Sequence, residues 1–292
     1  MTGPQPLMSL AVWQARIYQQ LRSAARPYQH LMPWVVDRAN LEAAWRHVAS
    51  NEGSRTPGVD GLTCDDLAGR ESSWLARLAD DLVHGRFRPR PPRWVDVPKG
   101  DGPGNRRRLG ILSVADRVVH TAVKCVLEPV LEPVFQPTSF GFRPGRSVAA
   151  ALEAAVDLLQ HRRGRPAPFS LAVHLDVADC FPSIDHGSLL QMLAQHVADE
   201  ALLALIGKLL RSSAPPDSGR WWQRPRGLVQ GSALSPLLCN LYLDALDRDL
   251  AQLAQQTRRA VWALRYADDL LLLARDAAPL RLALRTVRRR LR

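Results

Sequence analysis

Apolar and polar positions follow two different rhythms along this chain, and the switches between them outline its elements. Around Leu41, Ala44, Trp45 and Val48 the apolar residues recur every three to four positions, the period of a helix with one buried face. Residues 1–50 read as helical on that pattern, with Asn40 as the N-cap of the last helix. The same spacing over Asp116–Leu131, carried by Val118, Val119, Ala122, Val123, Val126 and Leu127, predicts an amphipathic helix that Pro129 and Pro133 help to end. Ser147 caps a predicted helix over Ala149–Gln160, and Ser188-Leu189-Leu190-Gln191 reads as a capping box. A further helix is expected from about Leu237 to Leu250, and an Arg-rich one over Leu280–Leu291.

Elsewhere the runs are too short for helices. Trp94–Pro98 reads as a strand, Lys99–Gly102 as a turn, and Arg106–Leu112 as the returning strand of a basic hairpin. Phe169–Asp176 is an apolar strand that delivers a carboxylate at its end. Val261–Ala274 holds two apolar runs on either side of Asp268-Asp269, the pattern of two buried strands joined by a tight turn. The Gly/Pro-rich stretch Asn51–Gly61, the polar break at His161–Pro168 and the Pro/Gly/Trp-rich segment 212–227 separate these elements.

Chemistry enters with the acidic pair. Two carboxylates at a buried turn repel each other and are costly to desolvate, unless divalent cations sit between them. Oxygen donors select a hard cation, Mg²⁺ or Mn²⁺; the competing reading is a plain solvated turn. Asp176 is a second placed carboxylate, whereas Asp179 suits a cap or surface position and His174 a structural role. The cations of the basic hairpin suit the triphosphate of a nucleotide or a template backbone, or else a solvated edge strand. Ser139–Ser147 sets two aromatics beside Arg143 and Arg146, which suits base stacking and phosphate contact as well as ordinary packing. Gln230-Gly231, opening a helix, places amide donors where anions are favoured.

The balance of 39 basic against 28 acidic residues in 292 gives a net charge of +11, most of it from Arg. Nucleic acid is the first partner this suggests, with an Arg-rich solvated surface as the alternative. Cys64, Cys125, Cys180 and Cys239 lack the spacing of a zinc site or a disulfide framework. No secretory leader and no run of membrane-spanning length is visible, so a soluble cytoplasmic protein without a membrane partner is expected.

Taken together, these stretches resemble the reverse transcriptases, especially the bacterial group II intron type, from about residue 40 to residue 280. Thr56-Pro57-Gly58-Val59-Asp60-Gly61 looks like the family's N-terminal signature. Pro98-Lys99 through Arg107-Arg108-Leu109-Gly110-Ile111 is similar to its fingertip hairpin, with Arg108 in place of the usual Pro. Asp116–Val119, Ser139–Ser147, Phe181-Pro182-Ser183-Ile184-Asp185-His186, Gln230–Leu238 and Tyr266-Ala267-Asp268-Asp269 follow in the family's order.

The resemblance implies an α+β right-hand polymerase with fingers and palm, its antiparallel palm sheet backed by helices. Residues 1–50 would form an N-terminal helical extension, 51–170 the fingers with 212–227 as a connector, and 171–211 with 228–292 the palm. Asp176 and Asp268 would hold two Mg²⁺ ions (Mn²⁺ being the alternative), with Asp269 as third acid and the Val177 backbone as a further ligand. By the same match Lys99 and Arg107 would clamp the incoming triphosphate, Gln230 and Gly231 would lie against the nucleotide, and Phe181 would exclude a ribose 2′-hydroxyl. Arg117, Arg143 and Arg146 would contact nucleic acid.

The implied activity is RNA-directed DNA synthesis on a primer 3′-hydroxyl with dNTPs. The partners would be an RNA template and a DNA or RNA primer, with group II intron RNA or CRISPR adaptation proteins as further candidates. A maturase-type RNA-binding splicing factor, or a reverse transcriptase serving spacer acquisition or phage defence, are the alternative roles. The family's thumb domain is expected to be missing, since the chain stops soon after the acidic hairpin.

Overall fold

The computed structural model of the chain describes residues 10–21, 27–98, 106–159, 169–212 and 225–291. In chain order they form α1 (Leu10–Leu21), α2 (Met32–Val36), α3 (Arg38–Ser50), α4 (Glu71–Val83), β1 (Arg93–Pro98), β2 (Arg106–Ile111) and α5 (Val114–Leu131). There follow α6 (Val148–Leu159), β3 (Leu171–Asp176), α7 (Cys180–Ser183), α8 (His186–Ala194), α9 (Glu200–Ser212), α10 (Ser235–Gln256), β4 (Val261–Tyr266), β5 (Asp269–Ala274) and α11 (Ala277–Arg290). The molecule is thus α+β, with antiparallel sheets only among the described residues.

These elements fall into two compact units, Met1–Pro133 with Phe181–Ser235, and Val134–Cys180 with Pro236–Arg292. Among the described residues no helix is long and apolar enough to cross a membrane.

In the first unit α5 is the central helix, buried on nearly all sides and packed by α1, α2 and α3. Ser113 caps it by accepting from the Asp116 N–H at 3.2 Å, while Asp116 Oδ2 accepts from Ser113 Oγ at 2.6 Å. Burial pushes the Asp116 carboxyl up to about 6. Pro129 lies within this helix, which continues to Leu131. A proline in the last turn removes one backbone bond, too little to stop a helix this deeply packed.

The cap of α3 is not Asn40 but Asp37, whose carboxylate accepts from the Ala39 N–H at 2.8 Å. Asn40 is fully buried and donates from Nδ2 to the carbonyls of Trp34, Val35 and Ala122. Its amide stitches α2 and α5 to α3, a use of Asn that local sequence cannot separate from capping. Likewise α8 is capped by Asp185, which accepts from the Ser188 N–H, so Ser188 sits inside the first turn. The two strands of the basic hairpin pair as expected, β1 antiparallel to β2 from Arg93↔Ile111 to Pro98↔Arg106, and the expected turn Lys99–Gly102 lies outside the described residues.

The second unit is built on a three-stranded antiparallel sheet in the order β3-β5-β4. Leu270, Leu272 and Ala274 of β5 pack with Leu246 and Leu250 of α10 and Ala283 and Val287 of α11. Leu171, Val173 and Leu175 face the same core, so the alternating side chains Ala172, His174 and Asp176 are left exposed. Burying one face fixes the register of β3, because a slip of one residue would turn Asp176 into the core.

Candidate active site

The register brings together two acids 93 residues apart in sequence. Asp176, the last residue of β3, is the cross-strand partner of Asp269, the first of β5. Side chains directly opposite on neighbouring strands have Cβ atoms about 5 Å apart. Asp269 also pairs with Tyr266, so Ala267 and Asp268 form a two-residue turn between β4 and β5. The Val177 N–H donates to the Asp268 carbonyl at 3.2 Å and ties the end of β3 to that turn. Asp176 and Asp269 are exposed and Asp268 half-buried.

Three carboxylates gather where these strands end, and His174 Nε2 stands 3.0 Å from Asp269 Oδ1. His174, for which a structural role is expected, thus has Asp269 as a partner. It lies on the same face as Asp176, two residues along β3, and reaches Asp269 diagonally across the strands. Among the described residues no group of three or more His, Cys, Asp or Glu side chains is gathered as a ready-made metal cage. The donor set itself fits a divalent ion, since Asp176 and Asp269 are hard oxygen donors held by the sheet and open to solvent, with Asp268 on the turn beside them.

The acidic turn rests on the Ser139–Ser147 loop. Ala267 adopts φ +57°, the left-handed region that costs a residue with a Cβ roughly 1 kcal/mol. Gly141 lies against it so closely that a Cβ there would stand 2.3 Å from the Ala267 nitrogen. The Gly141 carbonyl accepts from Asn240 Nδ2 of α10 at 2.8 Å. In the same loop Arg143 is buried, gives Nη1 to the carbonyls of Gln136 and Ser139, and stacks over Phe135. Arg146 is half-buried, donates to the Pro137 carbonyl and covers Phe140. Of the two aromatics of this loop, Phe140 is thus a packing partner and Phe142 is exposed.

The other expected residues lie in the first unit. Arg107 is exposed on β2 opposite Val97, and Lys99 falls outside the described residues. The Gln230 carbonyl accepts from the Gly110 N–H at 2.9 Å, which fixes the Gln230-Gly231 turn onto β2. Gly231 has φ +112°, and a Cβ there would approach the Gly110 carbonyl oxygen to 3.0 Å, so both conformation and space demand glycine. Phe181, in α7, is half-buried and accepts at its carbonyl from the Leu228 N–H at 2.9 Å. Arg117 donates to the carbonyls of Leu112, Gly53 and Thr56. Like Arg143, it thus gives donors to backbone oxygens and helps to shape a loop.

Behind Gln230-Gly231, His120 Nδ1 meets Ser232 Oγ at 2.6 Å, and the same oxygen accepts from the Leu234 N–H. Burial pushes the His120 imidazole down from 6.5 to about 4, so the folded chain holds it neutral. The unfolded chain takes up that proton near 6.5; this contribution is complete above 6.5 and lost as pH falls toward 4. Asp116, raised to about 6, works the opposite way and loses stability as pH rises through that value. Comparing wild type with His120→Gln isolates the histidine. In urea unfolding the variant's disadvantage at pH 7.5 should shrink or reverse by pH 4.5, a swing of up to about 3 kcal/mol. A constant gap at both pH values would contradict a buried neutral imidazole.

Asp176 thus stands on one strand beside the Asp268-Asp269 turn of its neighbour, with two of the acids exposed and not buried as the apolar flanks suggest. Residues 97–292 match the family described as "Reverse transcriptase (RNA-dependent DNA polymerase)", and the chain belongs to that family. It is 31% identical over 263 residues to Protein YkfC of Escherichia coli (strain K12), covering 87% of this chain and 64% of that protein. It is 32% identical over 216 residues to the group II intron-encoded protein LtrA of Lactococcus lactis subsp. cremoris, covering 74% of this chain and 34% of that one. A solved structure titled "Partial Cas6-RT-Cas1--Cas2 complex" aligns with 85% of this chain and 39% of its own at a TM-score of 0.48 and 21% identity. The chain thus spans under two thirds of the length of these proteins.

Proposed function

We propose that this chain carries an RNA-directed DNA polymerase activity, extending a primer 3′-hydroxyl with dNTPs on an RNA template. The observation that carries this reading is the pairing of Asp176 with Asp269 beside the turn that bears Asp268. The second unit would serve as the palm, and the β1–β2 hairpin as part of the fingers. Asp176, Asp268 and the backbone of Val177 would hold two divalent ions, Mg²⁺ or Mn²⁺, with Asp269 as the third acid. When bound, such ions lower the pKa of the attacking hydroxyl and neutralise the triphosphate and leaving pyrophosphate.

The protein's own share is positioning. The antiparallel register holds the carboxylates at fixed spacing without further reorganisation. Lys99 and Arg107 would neutralise and orient the triphosphate. Gln230 and Gly231 would line the nucleotide, the glycine allowing close approach of the backbone. The ring of Phe181 would lie under the sugar, where a ribose 2′-hydroxyl collides with it, so that deoxynucleotides are selected. Arg146, half-buried and at the loop surface, is the strongest remaining candidate for template contact. Similarity to a group II intron-encoded protein supports a structured intron-type RNA as template and partner.

The test is single-nucleotide primer extension on matched RNA and DNA templates, with dNTP or NTP as substrate and Mg²⁺ or EDTA present. Incorporation of dNMP on the RNA template, abolished by EDTA and far weaker with NTP, is the expected result. RNA binding without incorporation on any template would overturn it and leave a splicing-factor role.

A further inference from the structure

Arg265 lies three residues before Asp268 in β4, yet its side chain is only 1% exposed. A guanidinium offers five N–H donors, and here each has an acceptor. Nε and Nη2 grip the Asp247 carboxylate at 2.9 and 2.6 Å, and Nη2 also donates to Ser139 Oγ at 2.9 Å. Nη1 donates to Asn240 Oδ1 at 2.9 Å and to the Ala267 carbonyl at 2.7 Å. That last carbonyl belongs to the peptide bond leading into Asp268. Asn240 completes the circuit by donating to the Gly141 carbonyl, beneath the same turn.

A buried ion pair is weak evidence for a stability role, because apolar groups of similar volume often serve as well. What a saturated, planar fork does supply is direction: it fixes several oxygens at once in one plane. Here the oxygens belong to the Ala267 peptide, helix α10 and the Ser139 side chain. The strained turn therefore has its carbonyl clamped from inside, with Asp268 half-buried on it and Asp269 exposed beside it.

We propose that Arg265, backed by Asp247 and Asn240, is a positioning residue that sets the Ala267–Asp268 turn and thereby the divalent-ion affinity of the carboxylate site. The inference rests on the polymerase reading above and adds to it the origin of metal affinity. Loss of the fork lets the Asp268 carboxylate swing, so the acids lose metal affinity while nucleotide contacts in the first unit are untouched.

The test compares Arg265→Lys and Asn240→Ala with Leu250→Ala, which opens the same core without touching the turn. Mn²⁺ binding is followed by electron paramagnetic resonance on each full-length protein, and the Mg²⁺ dependence of primer extension is measured in parallel. Arg265→Lys and Asn240→Ala should weaken Mn²⁺ binding about tenfold and raise the Mg²⁺ requirement alike, with KM for dNTP changed less than threefold. Leu250→Ala should lower the melting temperature and leave both metal readouts unchanged. Should Arg265→Lys not fold, Asn240→Ala carries the test, since it keeps the Arg265–Asp247 pair. Equal metal affinity in the Arg265 or Asn240 variants and wild type, or an equal shift in Leu250→Ala, overturns the proposal. A wild type that neither incorporates nucleotide nor binds Mn²⁺ overturns the polymerase reading instead.

Discussion

Asp176→Asn should cut nucleotide incorporation at least about a thousandfold while leaving the protein as stable as wild type or slightly more so. The two effects have one cause. Asp176 and Asp269 face each other across neighbouring strands, where like charges are destabilising, and Asp176 is exposed with no burial to lose. Removing one charge relieves the edge of the sheet and strips the site of a metal ligand. Divalent ions should also raise the melting temperature of wild type and do so less in the variant, because an ion that binds only the folded state stabilises it by mass action. Thermal unfolding with EDTA and with Mg²⁺, beside single-turnover incorporation, checks both halves. Loss of activity together with loss of folding would mean that Asp176 is a structural residue.

Gly141→Ala should be nearly as damaging, for a steric reason. The added methyl would stand 2.3 Å from the Ala267 nitrogen and 3.0 Å from its Cα, both backbone atoms that cannot rotate away. Either the Ser139–Ser147 loop or the acidic turn must then shift. Overpacking of this kind costs about 1–3 kcal/mol, and a displacement near 1 Å at a reacting centre costs about a hundredfold in rate. The expected result is folded protein with a lowered melting temperature and a fall in kcat that added Mg²⁺ only partly restores. Full activity would show that the turn can move without harm to the site.

How much of this was legible in the sequence differs from element to element. The Val261–Ala274 hairpin and the basic hairpin could be read because their apolar runs and polar breaks are local. The resemblance to a family supplied the meeting of Asp176 with Asp268 and Asp269; alternation alone gives the face of a strand, not its neighbour. The order β3-β5-β4 places the last strand of the chain in the middle of the sheet, a choice no local pattern encodes. His174 was missed for the same reason, although sharing a face with Asp176 was a usable signal. Arg265 had a signal too, as the one charged residue in the apolar strand Val261–Tyr266. The backbone bonds of Arg117 and Arg143 were not legible either, because a guanidinium binds backbone carbonyls and phosphates through the same donors.

Ferrous iron in place of magnesium, with ascorbate and peroxide, gives localised radical cleavage of the polypeptide around a bound ion and so reads out which residues surround it. Cuts should cluster near residue 176 and near residues 268–269 together, fade as Mg²⁺ is added, and vanish from both places in Asp176→Asn. Cleavage at only one of the two segments, or a pattern indifferent to that substitution, would mean that the acids do not share a cation.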